Sequence, residues 1–403
     1  MLLRFPDTSD GQDAFVVNEL REWLWGDAMR ELLGCFGFQC HSSDLGTYLH
    51  EASAFVAKEF DYMAKTREFA SRMEQALSNH DIAWLNDNLS SINLYLERLG
   101  YARENDGVAL VDNAHREELL QHMRLKERFV VCDDVFLLEN RDKFSRLIEE
   151  IGTPGTEELV ENGKREALKS SWIVILGATA GTNQHRTLLA KQLYDLACIH
   201  HPINVIGLAG ERIVQRNELV KAGLDVDAIM SEYDSLKECI LHEFKPSRVI
   251  GETCSSSYLH QQQRYGNDYR KWDTCQFWGS SRKTTMEDKG NAIIVMSCPS
   301  SEPSQRRANT YDTIDLMIQE CLDHGNRDRL LLVGSARYAA YTIFTTWLKY
   351  KVERRLDNIS FAFTGNVGPI SNKEMIASYL MEIKNGINAG KILYETMREK
   401  NII

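Results

Sequence analysis

The side chains best suited to chemistry lie in short polar stretches, each following an aliphatic run. Gly177-Ala-Thr-Ala-Gly-Thr182 is the first. Gly177 and Gly181 let the backbone approach a bound group closely, and Thr179 and Thr182 add hydroxyl donors. The stretch is not G-x-G-x-x-G and has no P-loop lysine, and it also suits a plain strand-to-helix turn. Ala209-Gly-Glu-Arg212 sets Gly210 and Glu211 after a second run, where Glu211 and Arg212 also suit helix capping. Gly251-Glu-Thr-Cys-Ser-Ser-Ser257 places Glu252 among hydroxyls. Cys254 is a nucleophile type, but no nearby residue supplies its base.

The longest stretch runs from Ser297 to Asp312. Asn309 and Thr310 are N-cap types, and Asp312 falls in the first helical turn, where a negative charge suits the dipole. Capping accounts for Asn309 and Asp312. The adjacent Arg306 and Arg307 are harder to explain, because a positive helix end repels cations unless an anion sits between them. Gly334-Ser-Ala-Arg337 then offers Ser335 and Arg337. Gly365 and Asn366 follow in a glycine-rich stretch able to lie under a ligand.

Together these residues predict a site for a nucleotide-like or phosphate-bearing small molecule. Gly177, Thr179, Gly181, Thr182, Gly210, Gly365 and Asn366 would cradle it. Arg306, Arg307 and Arg337 would neutralise it, and Asn309, Thr310 and Ser335 would orient it. In an enzyme, Asp312, Glu252 or Glu211 would act as general acid or base in hydrolysis or group transfer. No metal pattern is visible: H-E-x-x-H is missing, His242-Glu243 stands alone, and His200-His201 precede a proline as loop residues do. A G-x-S-x-G elbow is also missing.

These stretches need strands and helices to hold them. The aliphatic runs are 172–176, 203–208, 247–250, 292–296, 330–333 and 359–363. Continuous β-branched and aliphatic runs of this length suit strands buried on both faces. Helical patterns fall between them, at about 184–197, 227–243, 308–324 and 336–352, with a last helix at 372–398. This alternation implies right-handed crossovers and a mostly parallel sheet. In such a sheet, ligands bind beyond the carboxyl ends of the strands. The stretch 260–289 breaks the rhythm, being polar and aromatic without a period, and reads as a surface insertion or lid.

The first 165 residues read mainly as helices. Apolar residues recur at helical spacing over 14–33, from a Ser43/Asp44 cap to about 77, and over 81–99 up to Gly100. A short extended run at 107–112 and shorter helices at 116–124 and 141–151 follow. Gly152-Thr-Pro-Gly155 is the best punctuation between the halves. The expected organisation is therefore a helical domain over 1–165 and an α/β domain over 166–403, with the polar insertion near 260–289.

With 403 residues, two domains are the default expectation. A net charge of -11 without a basic cluster excludes a nucleic-acid backbone as the expected partner. No apolar stretch is long enough for a bilayer and the start is unlike a signal peptide, so no membrane is expected. Nine scattered cysteines without a C-x-x-C pair read as reduced thiols, mostly core residues, of a cytoplasmic protein. Oligomeric state stays open.

Four segments carry a family likeness. They are Val174-Ile-Leu-Gly-Ala178 leading to Arg186-Thr-Leu-Leu-Ala-Lys-Gln-Leu-Tyr194, then Val205-Ile-Gly-Leu-Ala-Gly210, Arg307-Ala-Asn-Thr-Tyr-Asp-Thr313 and Val333-Gly-Ser-Ala-Arg-Tyr-Ala-Ala-Tyr341. In these, 172–365 resembles the YdcF/SanA/ElyC-like domain-of-unknown-function family. Arg307, Asp312 and Thr313 stand where that family has Ser, Glu and Asn; Tyr338 and Tyr341 stand where it has His and Arg. The resemblance implies a Rossmann-like sheet and a nucleotide-like ligand such as S-adenosylmethionine. The altered positions suit a rival, a non-catalytic sensor or interaction protein. A nicotinamide-dependent oxidoreductase is a third reading, weakened by the missing G-x-G-x-x-G.

Overall fold

A computed structural model describes residues 12–40, 42–59, 140–151, 157–214, 216–225, 231–266, 271–323, 329–354, 359–366 and 373–403, with a few single positions besides. The helices expected at 81–99 and 116–124, the run at 107–112 and the break at 152–155 lie wholly or largely outside the described residues. Two compact units emerge. One comprises Met1–Leu24, Gly152–Pro369 and Ile392–Ile403; the other comprises Trp25–Ile151 and Ile370–Lys391.

The described residues before 152 are helical: α1 (Gln12–Trp25), α2 (Asp27–Cys35), α3 (Leu45–Glu59) and α4 (Arg141–Glu150). The periodic stretch 14–33 is thus two helices, because extended backbone at Gly26 ends one and starts the next. Asp44 caps α3 as its type suggests, accepting from the Thr47 amide at 2.7 Å. In this unit α2 packs on α4, with Met29, Leu32 and Leu33 buried on one and Phe144, Leu147 and Ile148 on the other.

The other unit is built on a mixed, mostly parallel sheet of seven strands. Its elements are α5 (Glu157–Ala167), β1 (Trp172–Leu176), α6 (Ala180–Ala197), β2 (Asn204–Gly210), α7 (Arg216–Ala222), α8 (Glu232–Phe244) and β3 (Arg248–Cys254). They continue with α9 (Ser256–Tyr265), α10 (Thr274–Trp278), β4 (Arg282–Asp288), β5 (Asn291–Cys298), α11 (Thr310–Asp323) and β6 (Arg329–Ser335). A short 3-10 turn, α12 (Ala339–Trp347), a π-helical turn, β7 (Ser360–Asn366) and α13 (Lys373–Glu399) complete the chain. The spatial order is β3-β4-β5-β2-β1-β6-β7. All pairs from β5 to β7 are parallel, while β4 is antiparallel to both of its neighbours.

Each aliphatic run became a strand because its residues meet helices on both sides. Ile173, Ile175, Val205, Ala209, Ile293, Val295, Leu331 and Val333 are buried under Leu189, Leu193, Tyr194, Leu236, Ile240 and Phe244 of α6 and α8. The run 247–250 differs. It forms edge strand β3, and Val249 and Ile250 remain 57% and 54% exposed.

The polar stretch 260–289 is not a simple insertion. Its last part is β4, paired on both sides within the sheet. Its pattern was hidden because two of its inward residues are Arg282 and Thr284, and only Met286 is apolar. Helix α5 also corrects the boundary at 165. The Leu159 carbonyl of α5 accepts from Thr364 Oγ1 at 3.1 Å, and Glu166 pairs with Arg329, so the helix packs on β7 and β6.

Amide hydrogen exchange tests the place of β4. Ladder amides of 282–288 should be protected to a degree like those of β5, whereas a surface insertion would exchange as a loop does.

Candidate functional site

Strands β5, β2, β1, β6 and β7 run parallel, so the loops after them share one edge of the sheet. From β1 the chain crosses to β2 on one side, while β6 and β7 lie on the other. Right-handed crossovers in opposite directions put their helices on opposite faces. In sheets of this kind the point where the crossovers change direction, here between β1 and β6, is where a ligand crevice is expected.

Arg186 stands at this point. It lies on the sheet-facing side of α6, with Leu189, Ala190 and Leu193, and is 3% exposed. Its Nε and one terminal nitrogen donate to Ser335 Oγ at 3.3 and 3.0 Å. The other terminal nitrogen donates to the Gly177 carbonyl at 3.1 Å and to that of Leu176. It thus ties the end of β1 to the end of β6. Among the described residues no carboxylate lies within ion-pair distance of it, although the Glu232 charge acts on it from farther away. Burial pulls its pKa down to about 10, so the charge persists at neutral pH. The Tyr338 ring lies 5.8 Å from Arg186 and 4.8 Å from Arg337.

The start of α6 adds donors. Thr179 is the N-cap residue, in extended backbone, yet its side chain makes no capping bond. Its hydroxyl instead lies 3.0 Å from that of Thr182. The first amides of a helix have no intrahelical acceptor, so those of Ala180, Gly181 and Thr182 stay available. Thr182 precedes Arg186 by one turn and shares its face. Buried Asn183 fixes the loop, accepting from the Ala178 amide at 2.8 Å and donating to Ser235 on α8 at 3.3 Å.

Two of the expected cradle glycines have another task. A Cβ on Gly177 would fall 2.6 Å from the Leu208 carbonyl, and one on Gly365 would fall 2.9 Å from the Gly334 carbonyl. Both allow neighbouring backbones to approach closely. Gly181 has open space around it, and Gly210 meets only Ala308, at 3.8 Å. Asn366 ends β7 in register with Ser335.

The three expected acids are committed elsewhere. The Glu211 side chain is fully buried and clasped by Arg282 at 2.8 and 3.0 Å. Burial pushes its carboxyl up, and the Arg282 charge pulls it back. Arg282 also donates to Asp234, Tyr258 and Ser231, with the Tyr233 ring 4.1 Å away. Glu252 bonds Lys237 at 3.1 Å and Thr284 at 3.2 Å. Asp312 and Asn309 cap α11 reciprocally, each accepting from the other's amide, at 3.0 and 3.1 Å. Burial opposes the Asp312 charge, but bonds from Arg306, Ser301 and Asn309 hold its carboxyl below the usual range.

Arg306 is likewise no spare cation. It binds Glu302 at 2.9 Å and Asp312 at 2.5 Å, stapling its own loop. Thr310 simply opens α11. Arg307 reaches toward the crevice, with a guanidinium nitrogen 3.8 Å from Glu232 Oε2. A Cβ on Gly177 would fall 2.9 Å from Glu232 Oε1. A continuous polar path therefore runs from Arg307 through Glu232, Gly177 and Arg186 to Ser335. It joins the loops after β5, β1 and β6.

Arg186, Asn183 and Glu232 escaped the sequence reading. The usable signal was an arginine on the apolar face of an amphipathic helix, one turn before Leu189 and Ala190. Among the described residues there is no His/Cys/Asp/Glu cluster able to hold a metal and no helix long and apolar enough to cross a membrane. The seven described cysteines are free, and only Cys239 and Cys298 are buried, so the expectation of mostly core cysteines is not met. No family model matches the chain, and no curated protein or solved structure matches it.

Removing one partner of a buried ion pair strands the other charge, at a cost of about 3–5 kcal/mol. Arg282→Met should lower stability by that order in urea unfolding, because the buried Glu211 loses the charge that balances it. Gly177→Ala should also destabilise, since its methyl group meets the Leu208 carbonyl and Glu232.

Proposed function

We propose that the chain binds an anionic small molecule, a phosphate-bearing or nucleotide-like metabolite, in the β1–β6 crevice of a Rossmann-like sheet. The observation that carries this reading is Arg186, a buried and charged guanidinium without a carboxylate partner, beside an uncapped helix start. An anion there would complete its electrostatics while accepting from the α6 amides and the Thr179 and Thr182 hydroxyls. Arg337 stands at the rim. Arg212, Arg282, Arg306 and Arg307 have carboxylates within ion-pair distance, whereas Arg186 has none that close.

Binding is favoured over hydrolysis by the three expected acids, because Asp312 and Glu211 have both oxygens engaged and Glu252 lies on edge strand β3, away from β1 and β6. S-adenosylmethionine fits the reading through its carboxylate. The nicotinamide reading loses support, since the acid at the end of β2, where a ribose would be held, is Glu211, and Arg282 occupies it. The YdcF-like resemblance agrees with the reading in one respect: Arg186 opens one of its segments.

Thermal unfolding with inorganic phosphate, nucleoside monophosphates, sugar phosphates and S-adenosylmethionine tests the proposal. A ligand at 100 times its Kd should add about 2.7 kcal/mol of stability. The shift should vanish in Arg186→Gln. No shift with any compound would overturn the reading.

A further inference from the structure

Glu232 is a buried carboxylate beside this site with one oxygen that accepts no hydrogen bond among the described residues. It opens α8 and is 6% exposed. Its Oε2 is held by Arg212 Nε at 3.2 Å and approached by Arg307 at 3.8 Å. Arg212 is anchored in turn by Glu218, through two bonds of 2.8 and 2.9 Å. The carboxylate is therefore fixed from behind. Oε1 accepts no hydrogen bond from any described residue, and it lies 2.9 Å from where a Cβ on Gly177 would fall.

This oxygen is not sealed from solvent, so a bound donor can reach it and take the place of water there. The same Gly177 presents its carbonyl to Arg186. One residue therefore separates the anion-binding guanidinium from the open carboxylate oxygen. The positive charges of Arg212 and Arg307 already balance Glu232, so a neutral donor suits Oε1 better than a second cation.

We propose that Glu232 Oε1 accepts a hydrogen bond from a hydroxyl of the ligand, so that the ligand is a hydroxyl-bearing phosphomonoester such as a polyol or sugar phosphate. This rests on the phosphate reading of the crevice and adds a second recognition point beside it. Glu232 acts here as a binding residue that selects among phosphomonoesters. Arg212 positions it.

Calorimetric titration of the full chain with glycerol 3-phosphate and with propyl phosphate separates the two ideas. The compounds share the phosphate and differ in the hydroxyls. A hydrogen bond to a charged acceptor predicts that glycerol 3-phosphate binds about ten- to a hundredfold more tightly. In Glu232→Gln, with folding checked by circular dichroism, the ratio of the two affinities should fall toward one. Equal affinities in the unmodified protein would overturn the hydroxyl proposal and leave the phosphate reading standing, even if the variant did not fold. A ratio retained in a folded Glu232→Gln would overturn it too. Failure of both compounds to bind would remove the phosphate reading and this proposal with it.

Discussion

A charged guanidinium buried at the ends of two paired strands is the constraint around which this edge is arranged. Arg186 bonds only to carbonyls and one hydroxyl, and burial lowers its pKa without neutralising it at pH 7. Such a charge needs strand ends that expose carbonyls, and β1 supplies them at Leu176 and Gly177. It also needs the loop after β6 close by, and Gly365 permits this by letting β7 lie against the Gly334–Ala336 backbone. The close approaches at Gly177 and Gly365 and the charge therefore belong together, since both bring backbone to the strand ends that Arg186 joins.

The neighbouring arginines show the contrast. Arg282 is as buried as Arg186, yet it faces Glu211 and Asp234 and is flanked by the Tyr233 and Tyr258 rings. Buried ion pairs add little net stability, because desolvation offsets attraction, but breaking one is costly. Here the pairs fix geometry. Arg282 ties β4 to α8 and α9, and Tyr258 packs on Trp272, which packs on Phe277. This cluster seats α9 and α10 over a strand whose own inward residues are too polar to hold it by burial alone.

The sheet was legible from aliphatic runs, because strands covered on both faces leave no choice of residue type. What stayed hidden followed from the same logic. β4 has partners that satisfy polar side chains, so its inward positions need not be aliphatic. β3 has aliphatic residues that lie exposed, unlike those of β7 at the other edge of the sheet. The Asn309–Asp312 cap was readable because capping is local. The commitments of Arg306, Glu211 and Glu252 were not, since their partners lie elsewhere: Glu302 and Asp312 across a folded loop, Arg282 some seventy residues away, and Lys237 on a different helix. Sequence spacing named the right edge of the sheet. Only the through-space pairing shows which of its charges are already balanced.

That pairing bears on what the edge can do. An acid able to exchange protons with a substrate must present a lone pair or a proton to it. Asp312 spends its oxygens on the α11 start and Arg306, and Glu211 gives both of its oxygens to Arg282. Recruiting either would unfold a cap or strand a buried arginine, and both costs exceed what weak ligand contacts could return. Glu232 differs because one oxygen anchors it and the other stays open, so using that oxygen disturbs nothing already made. Arg186 differs in the same way, holding the strand ends together while its charge remains uncompensated. A site assembled from groups that are fixed but incompletely satisfied is pre-organised for a ligand that completes both at once.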